Sequence, residues 1–239
     1  MFERDALKNS DLPKIQKKAV IFDIGGVIVR LKLKHALEPF SLRTPMPTES
    51  VAQKNSAEEI WRLIQCDPLW PNWQEGRMKP YEWYEHITRA FGVAISFEKF
   101  CAAWNGVLDP QTILPDSLFG DIASRCRLGL LSNTDPIHAA RLEESFSFVR
   151  YFPVRIYSNE VGARKPSAAI YRKALAALDV PAAETLYIDD IAKFVEVARE
   201  LGFDAIQFES FEQVTGELSR RGLLAPPSHL PSFSQQTSI

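Results

Sequence analysis

The sequence predicts an α/β protein: a mainly parallel sheet covered by helices on both faces, interrupted by a small all-helical insert. Three observations carry that reading. Short, β-branched apolar runs end at glycine, serine or acidic residues, as strands buried on both faces do. Helical patterns separate the last three of these runs. Between the first run and the second lies a tryptophan-rich stretch with no convincing strand.

The first strand is predicted over residues 19–24, where Ala19-Val20-Ile21-Phe22 leads into Asp23-Ile24 and then Gly25-Gly26. Residues 33–107 read as helices, among them 57–66, 79–91 and 96–105, joined by turns such as Asp67-Pro68 and Pro71-Asn72. All five tryptophans, Trp61, Trp70, Trp73, Trp83 and Trp104, fall here. They are expected as the large side chains a small helical unit needs for its core rather than as a substrate cage, with pocket lining by one or two left open. Further strands are predicted at Leu128–Leu131, Val154–Tyr157, Thr185–Ile188 and Ala205–Phe208. Ser167 is placed to cap a helix in which Ile170, Ala174 and Leu178 share a face. Phe194, Val197, Ala198 and Leu201 form another apolar stripe that stops at Gly202. The expected organisation is a core of residues 17–32 and 108–222, a helical cap of 33–107, an N-terminal extension of 1–16 and a mobile, Pro- and Ser-rich tail of 223–239.

A chain of 239 residues, 46% hydrophobic, can bury a sizeable core. Its net charge of −2 gives no global attraction to nucleic acid, and Lys14, Lys17 and Lys18 read as solvated surface lysines. Cys66, Cys101 and Cys126 are scattered, without CxxC spacing, and are expected to be reduced and partly buried. The stretch Met1-Phe2-Glu3-Arg4-Asp5 lacks the order of a signal peptide, and no apolar run approaches a membrane span. A cytoplasmic protein, monomer or homodimer, with neither nucleic acid nor membrane as partner, is the expectation.

The chemistry concentrates near predicted strand ends, where open parallel sheets bind ligands. Asp23, Ser132 and the pair Asp189-Asp190 each follow a strand directly, so one crevice can hold all of them. Gly25 and Gly26 would offer backbone N–H groups to a phosphate, and Ser132 a hydroxyl. Lys165, before Pro166 and a helix start, supplies positive charge. Asp189 and Asp190 are hard oxygen donors of the kind Mg²⁺ prefers. His35, His86, His138 and His229 lack metal-ligand spacing, and surface or packing use is the expectation for His138.

Asp23-x-Gly25-Gly26-Val27, Leu131-Ser132-Asn133-Thr134, Gly162-Ala163-Arg164-Lys165-Pro166 and Ile188-Asp189-Asp190 resemble, in this order, the four motifs of the haloacid dehalogenase-like (HAD) hydrolase superfamily. The resemblance is to its phosphatase-rich branch with a helical cap inserted after the first motif, and runs from about residue 18 to 208. Glu75-Gly76 is similar to a turn common in those caps. The resemblance implies a Rossmann-like three-layer core and a Mg²⁺-dependent phosphatase acting on a small phosphorylated metabolite. Asp23 would be the nucleophile of an aspartyl-phosphate intermediate, and Lys165 would balance charge. Ser132, Asn133 and Gly26 would hold the phosphate. Asp23, the Gly25 carbonyl and Asp190 would ligand Mg²⁺, with Asp189 beside them.

Two positions depart from the family pattern. Gly25 stands where an Asp usually protonates the leaving oxygen and later activates water, a contribution of about 10²–10⁴-fold. Slow turnover, a good leaving group or a replacement acid from the cap are the possible outcomes. Phe194 stands where Asp or Asn is common, and its place on an apolar stripe predicts packing in the core. Two rival readings use these departures. A metal-independent 2-haloacid dehalogenase needs no acid at position 25, though the pair Asp189-Asp190 argues against it. A catalytically weakened HAD-fold binding or regulatory protein would need neither residue. A receiver-type phospho-acceptor domain is excluded by motif order and chain length.

Overall fold

The computed structural model describes residues 16–40 and 56–224. Five parallel strands form the central sheet. In chain order they are β1 (Ala19–Phe22), β4 (Arg127–Ser132), β5 (Val154–Tyr157), β6 (Thr185–Asp189) and β7 (Asp204–Gln207), and in space they run β5-β4-β1-β6-β7. Between β1 and β4 lies an antiparallel pair, β2 (Val29–Leu31) and β3 (Leu108–Thr112), which the sequence reading did not anticipate. Only Val29 and Leu108-Asp109 of this pair are buried, so it lacks the continuous apolar run that marks the central strands.

The period of two along β1 feeds two cores. Val20 and Phe22 join Leu128, Leu130, Leu186 and Ile188 on one face. That face is covered by helices α6 (Asp116–Ala123), α7 (Pro136–Ser145) and α11 (Phe211–Arg220) through residues such as Phe119, Leu142 and Val214. Ala19 and Ile21 join Tyr187 and Ala205 on the other face, under α9 (Ala168–Leu178) and α10 (Ala192–Glu200). Burial on both faces explains why β1 is apolar throughout rather than alternating. The short helix α8 (Ser158–Val161) follows β5 directly.

Leu31 pairs with Leu108, so the chain leaves the sheet region and returns to it at adjacent points. Between them lie α1 (Leu33–Ala36), α2 (Ala57–Gln65), α3 (Trp70–Gln74), α4 (Pro80–Phe91) and α5 (Phe97–Asn105). The N-caps Ser56 and Ser96 accept from the backbone N–H groups of Glu59 and Lys99, which sets the starts of α2 and α5. These helices share a separate cluster in which Trp73 stacks on Trp83 at 5.6 Å and Trp104 on Phe100 at 5.4 Å. Pro71-Asn72, expected as a turn, lies inside α3. Proline is tolerated in a first helical turn, where its missing N–H has no partner to lose.

Two smaller expectations also change. Lys17 is largely buried rather than solvated, with Nζ 3.1 Å from Asp204 and donating to the Ala183 carbonyl at 2.8 Å. Among the three free cysteines, Cys66 is exposed. Lys14 and residues 225–239 of the expected tail lie outside the described residues. No helix among the described residues is long and apolar enough to cross a membrane.

Candidate active site

Register brings the acidic residues together. Phe22 pairs with Ile188, so the residues that follow, Asp23 and Asp189, sit level on neighbouring strands, and the Asp23 N–H donates to the Ile188 carbonyl at 2.9 Å. Both continue the row Ile21 and Tyr187, on the face covered by α9 and α10. Lys165 arrives from the loop before α9. Its Nζ lies 2.9 Å from Asp23 Oδ1 and 2.7 Å from Asp189 Oδ2, and the residue is 1% exposed.

The two adjacent aspartates have different surroundings. Asp189 is fully buried and its oxygens are occupied. Oδ2 accepts from Lys165 and from the Tyr187 hydroxyl, while Oδ1 accepts from the Ile191 N–H at 2.9 Å. Asp190 keeps a buried Oδ1 with no hydrogen-bond partner. Donor oxygens of Asp23, Asp189 and Asp190 lie within 4.8 Å of one another. Three carboxylates thus share one ammonium. Burial pushes Asp23 up to about 7 against the pull of Lys165, with Asp189 and Asp190 adding to the rise. Burial, then Asp189, also raises Asp190. Burial draws Lys165 down, but Asp23 and Asp189 outweigh it and hold the lysine above its ordinary value. A charged lysine beside an aspartate pushed toward neutrality is the expected outcome of one cation serving three anions. An added divalent cation would relieve it, and the all-oxygen donor set with an unpartnered Asp190 Oδ1 fits Mg²⁺.

The remaining expected residues lie in the same recess, some with altered tasks. Ser132, 5% exposed, ends β4 and lines the recess. Asn133 was expected to hold phosphate, yet its carboxamide clasps the Lys165 main chain. Oδ1 accepts from the Lys165 N–H at 2.7 Å and Nδ2 donates to its carbonyl at 3.0 Å, which leaves one amide hydrogen over. Gly26 was expected to offer its N–H to phosphate, but that group donates to the Val29 carbonyl at 2.9 Å. Its φ of 78° is one glycine adopts without strain, and an added Cβ would lie 2.2 Å from Asp190 Oδ2. Gly26 therefore makes room for Asp190. Gly25 lines the recess without positive φ, and a Cβ there would meet only the Leu31 side chain, at 3.8 Å.

Phe194, expected in the core, instead faces the recess, with Lys165 Nζ 5.1 Å from its ring centroid. It is Val195 that buries toward the sheet. The phenyl face attracts the ammonium where the resemblance implied a carboxylate or amide.

The recess encloses about 350 Å³ between the sheet's carboxyl edge and the helices of 33–107. Trp61, Gln65, Trp70 and Gln74 line it from α2 and α3. Three contacts seat this helical roof on the sheet side. The Ser158 hydroxyl donates to the Gln74 carbonyl at 2.7 Å and accepts from the Thr134 N–H at 2.9 Å. Arg164 donates to Gln74 Oε1 at 3.2 Å. At Gly76, a Cβ would fall 2.0 Å from the Asn159 carbonyl oxygen. Sequence reasoning missed Gln74, Ser158 and Tyr187. Only Tyr187 carried a local signal, since residues two apart on a strand share a face.

Comparison with known proteins places these residues in context. A family model described as haloacid dehalogenase-like hydrolase matches residues 17–202. D-ribitol-5-phosphate phosphatase of Bacteroides thetaiotaomicron is 23% identical over 199 residues, covering 81% of this chain and 92% of that protein. A crystal structure of a HAD family enzyme from the same organism, in complex with magnesium and inorganic phosphate, superposes with a TM-score of 0.65. It is 24% identical and is covered over 96% of its length, against 82% of this chain. L-2-haloacid dehalogenase from Xanthobacter autotrophicus gives a TM-score of 0.57 at 21% identity, over 85% of this chain and 83% of that one. At such identities the structural likeness shows a shared fold.

Proposed function

The chain belongs to the haloacid dehalogenase-like hydrolase family, and on that premise we propose that it is a Mg²⁺-dependent phosphatase acting on a small phosphorylated metabolite. The observation that carries the reading is the cluster of Asp23, Asp189 and Asp190 around Lys165, with one buried carboxylate oxygen of Asp190 left unpartnered. A dehalogenase that attacks carbon has no use for such an acidic set. Support comes from the similar D-ribitol-5-phosphate phosphatase and from the similar fold that holds magnesium and inorganic phosphate.

Residues 17–32 and 108–222 act as the catalytic core in this reading, and 33–107 as a cap whose tryptophan-lined underside covers the substrate and excludes water. Mg²⁺, held by Asp23, Asp190 and the Gly25 carbonyl, would supply positive charge that lets an anionic phosphate approach a carboxylate. Asp189 stands beside that set, and because its oxygens receive Lys165, Tyr187 and Ile191 it also holds the lysine in place. Ser132 donates to a phosphate oxygen.

Asp23 attacks phosphorus. An O–P bond forms to its carboxylate, and the bond to the leaving oxygen breaks with its electron pair. Lys165 favours the ionised Asp23 against its burial and orients it through the bond to Oδ1. Water then cleaves the aspartyl phosphate, releasing inorganic phosphate and restoring the carboxylate. Gly25 has no proton to give the leaving oxygen. Among the described residues lining the recess, Asp135 and His138 are the other acid–base candidates, and both are fully engaged elsewhere. Substrates whose oxygen leaves readily as the anion, acyl and aryl phosphates, are therefore favoured over alkyl phosphates.

The test is phosphate release from a panel graded by leaving-group pKa, with and without Mg²⁺, for the wild type and Asp23→Asn. Mg²⁺-dependent hydrolysis that drops on the order of 10⁴-fold or more in the variant is expected. No hydrolysis of any member, with Asp23→Asn indistinguishable from wild type, would sink the reading.

A further inference from the structure

His138 has both ring nitrogens aimed at acceptors. Nδ1 lies 2.9 Å from Asp135 Oδ2, and Nε2 lies 2.8 Å from the main-chain carbonyl of Trp104. A carbonyl can only accept. Asp135 is held as a carboxylate as well: as the N-cap of α7 it receives the N–H groups of Ile137 and His138, each at 3.0 Å, and the Trp104 indole at 3.0 Å, and against its burial these donors and His138 favour the charged form. Each imidazole nitrogen must then carry a hydrogen, and only the imidazolium has two.

The surroundings favour that charge. Trp104 lies one residue from the end of α5, where helix carbonyls present partial negative charge, and its indole stacks on the His138 ring at 5.6 Å and 17°. The opposing influence is the N-terminus of α7, and the N-cap carboxylate of Asp135 offsets it. Burial draws the ring toward neutrality, yet Asp135 and the Trp104 carbonyl outweigh it and raise His138 above the ordinary 6.5. On α5, the thiol of Cys101 feels both Glu98 and Asp135. Asp23, Arg164 and Lys165 line the same recess.

The mechanical consequence follows from position. Asp135 directly continues Ser132-Asn133-Thr134, the loop on the phosphate side of the recess. Ile137, next to His138, packs into the helical cluster of the cap rather than into the sheet. The first turn of α7 thus joins the cap's last helix to that loop.

We propose that His138 is a positioning residue, held as an imidazolium, whose charge clamps the loop Ser132–Asp135 to α5 and whose deprotonation releases the clamp. The structural half stands without any activity; the kinetic half rests on the phosphatase reading.

Nuclear magnetic resonance of the full chain with ¹⁵N-labelled histidine and tryptophan separates the two. His138 is expected to keep the imidazolium pattern to a pH above the ordinary histidine value. The Trp104 indole N–H, bonded to Asp135, should shift with the same midpoint. Asp135→Asn should bring the midpoint down; if that variant does not fold, the wild-type titration decides alone. A neutral ring below pH 6.5, or an indole signal indifferent to the titration, overturns the clamp. In kinetics, KM should rise about three- to tenfold through that midpoint with kcat within about twofold. His138→Gln should show the raised KM at every pH. A KM flat across the midpoint refutes the positioning role even if the ring titrates as stated.

Discussion

A Cβ on Gly26 would fall 2.2 Å from Oδ2 of Asp190, a residue 164 positions later in the chain. The second glycine after β1 is thus required by a carboxylate from the end of β6. Gly26→Ala should destabilise the protein by about 1–2 kcal/mol through the left-handed backbone alone. It should also displace Asp190 and raise the Mg²⁺ requirement. Denaturant unfolding and a Mg²⁺ titration measure the two effects, and a variant that matches wild type in both would contradict the packing.

Asp189 and Asp190 should separate under substitution. Asp190→Asn removes the unpartnered oxygen, and the Mg²⁺ concentration for half-maximal activity should rise about tenfold or more. Asp189→Asn leaves that oxygen in place but loosens Lys165, so kcat should fall with a smaller change in Mg²⁺ requirement. The reverse pattern would assign the metal to Asp189.

Gly25→Asp should be tolerated, because the backbone is not left-handed and a Cβ there meets only Leu31. The new carboxyl can serve as the missing acid. Hydrolysis of alkyl phosphates should gain about tenfold or more, with less gain for aryl phosphates, flattening the dependence on leaving-group pKa. A folded variant with an unchanged slope would show that proton transfer does not limit the reaction.

Stability should depend on pH through the Asp135–His138 pair. The folded His138 value lies above 6.5, so its contribution is complete below 6.5 and is lost as pH rises through the folded value. His138 lowers Asp135 despite its burial, so that residue's contribution is complete above 3.8 and is lost as pH falls through a still lower value. Thermal unfolding of the wild type should therefore weaken on both sides, and His138→Gln should lose the alkaline limb. An alkaline limb that persists in the variant would place its origin elsewhere.

Much of the fold was legible because its signals are local. Strands buried on both faces are apolar without interruption, and a cap such as Ser167 marks a helix start within three residues. The paired strands Val29–Leu31 and Leu108–Thr112 escaped because most of their residues face solvent and their partners lie far apart in the chain. Phe194 was misplaced for a related reason. An apolar stripe tells which side of a helix is greasy, but not whether the residue at its edge meets the sheet or a recess.

By itself the sequence determined the parallel-sheet class, the helical insert and the set Asp23, Ser132, Lys165, Asp189 and Asp190, because each follows from short-range pattern and order. Only the tertiary structure decided what those residues share. Strand register set Asp23 level with Asp189, three donors bound the Asp189 oxygens while one Asp190 oxygen found none, and Asn133 went to the lysine's backbone. It also decided that His138 carries charge. Which acceptors surround a ring or a carboxylate depends on elements remote in sequence, and their approach is fixed by packing of the whole chain.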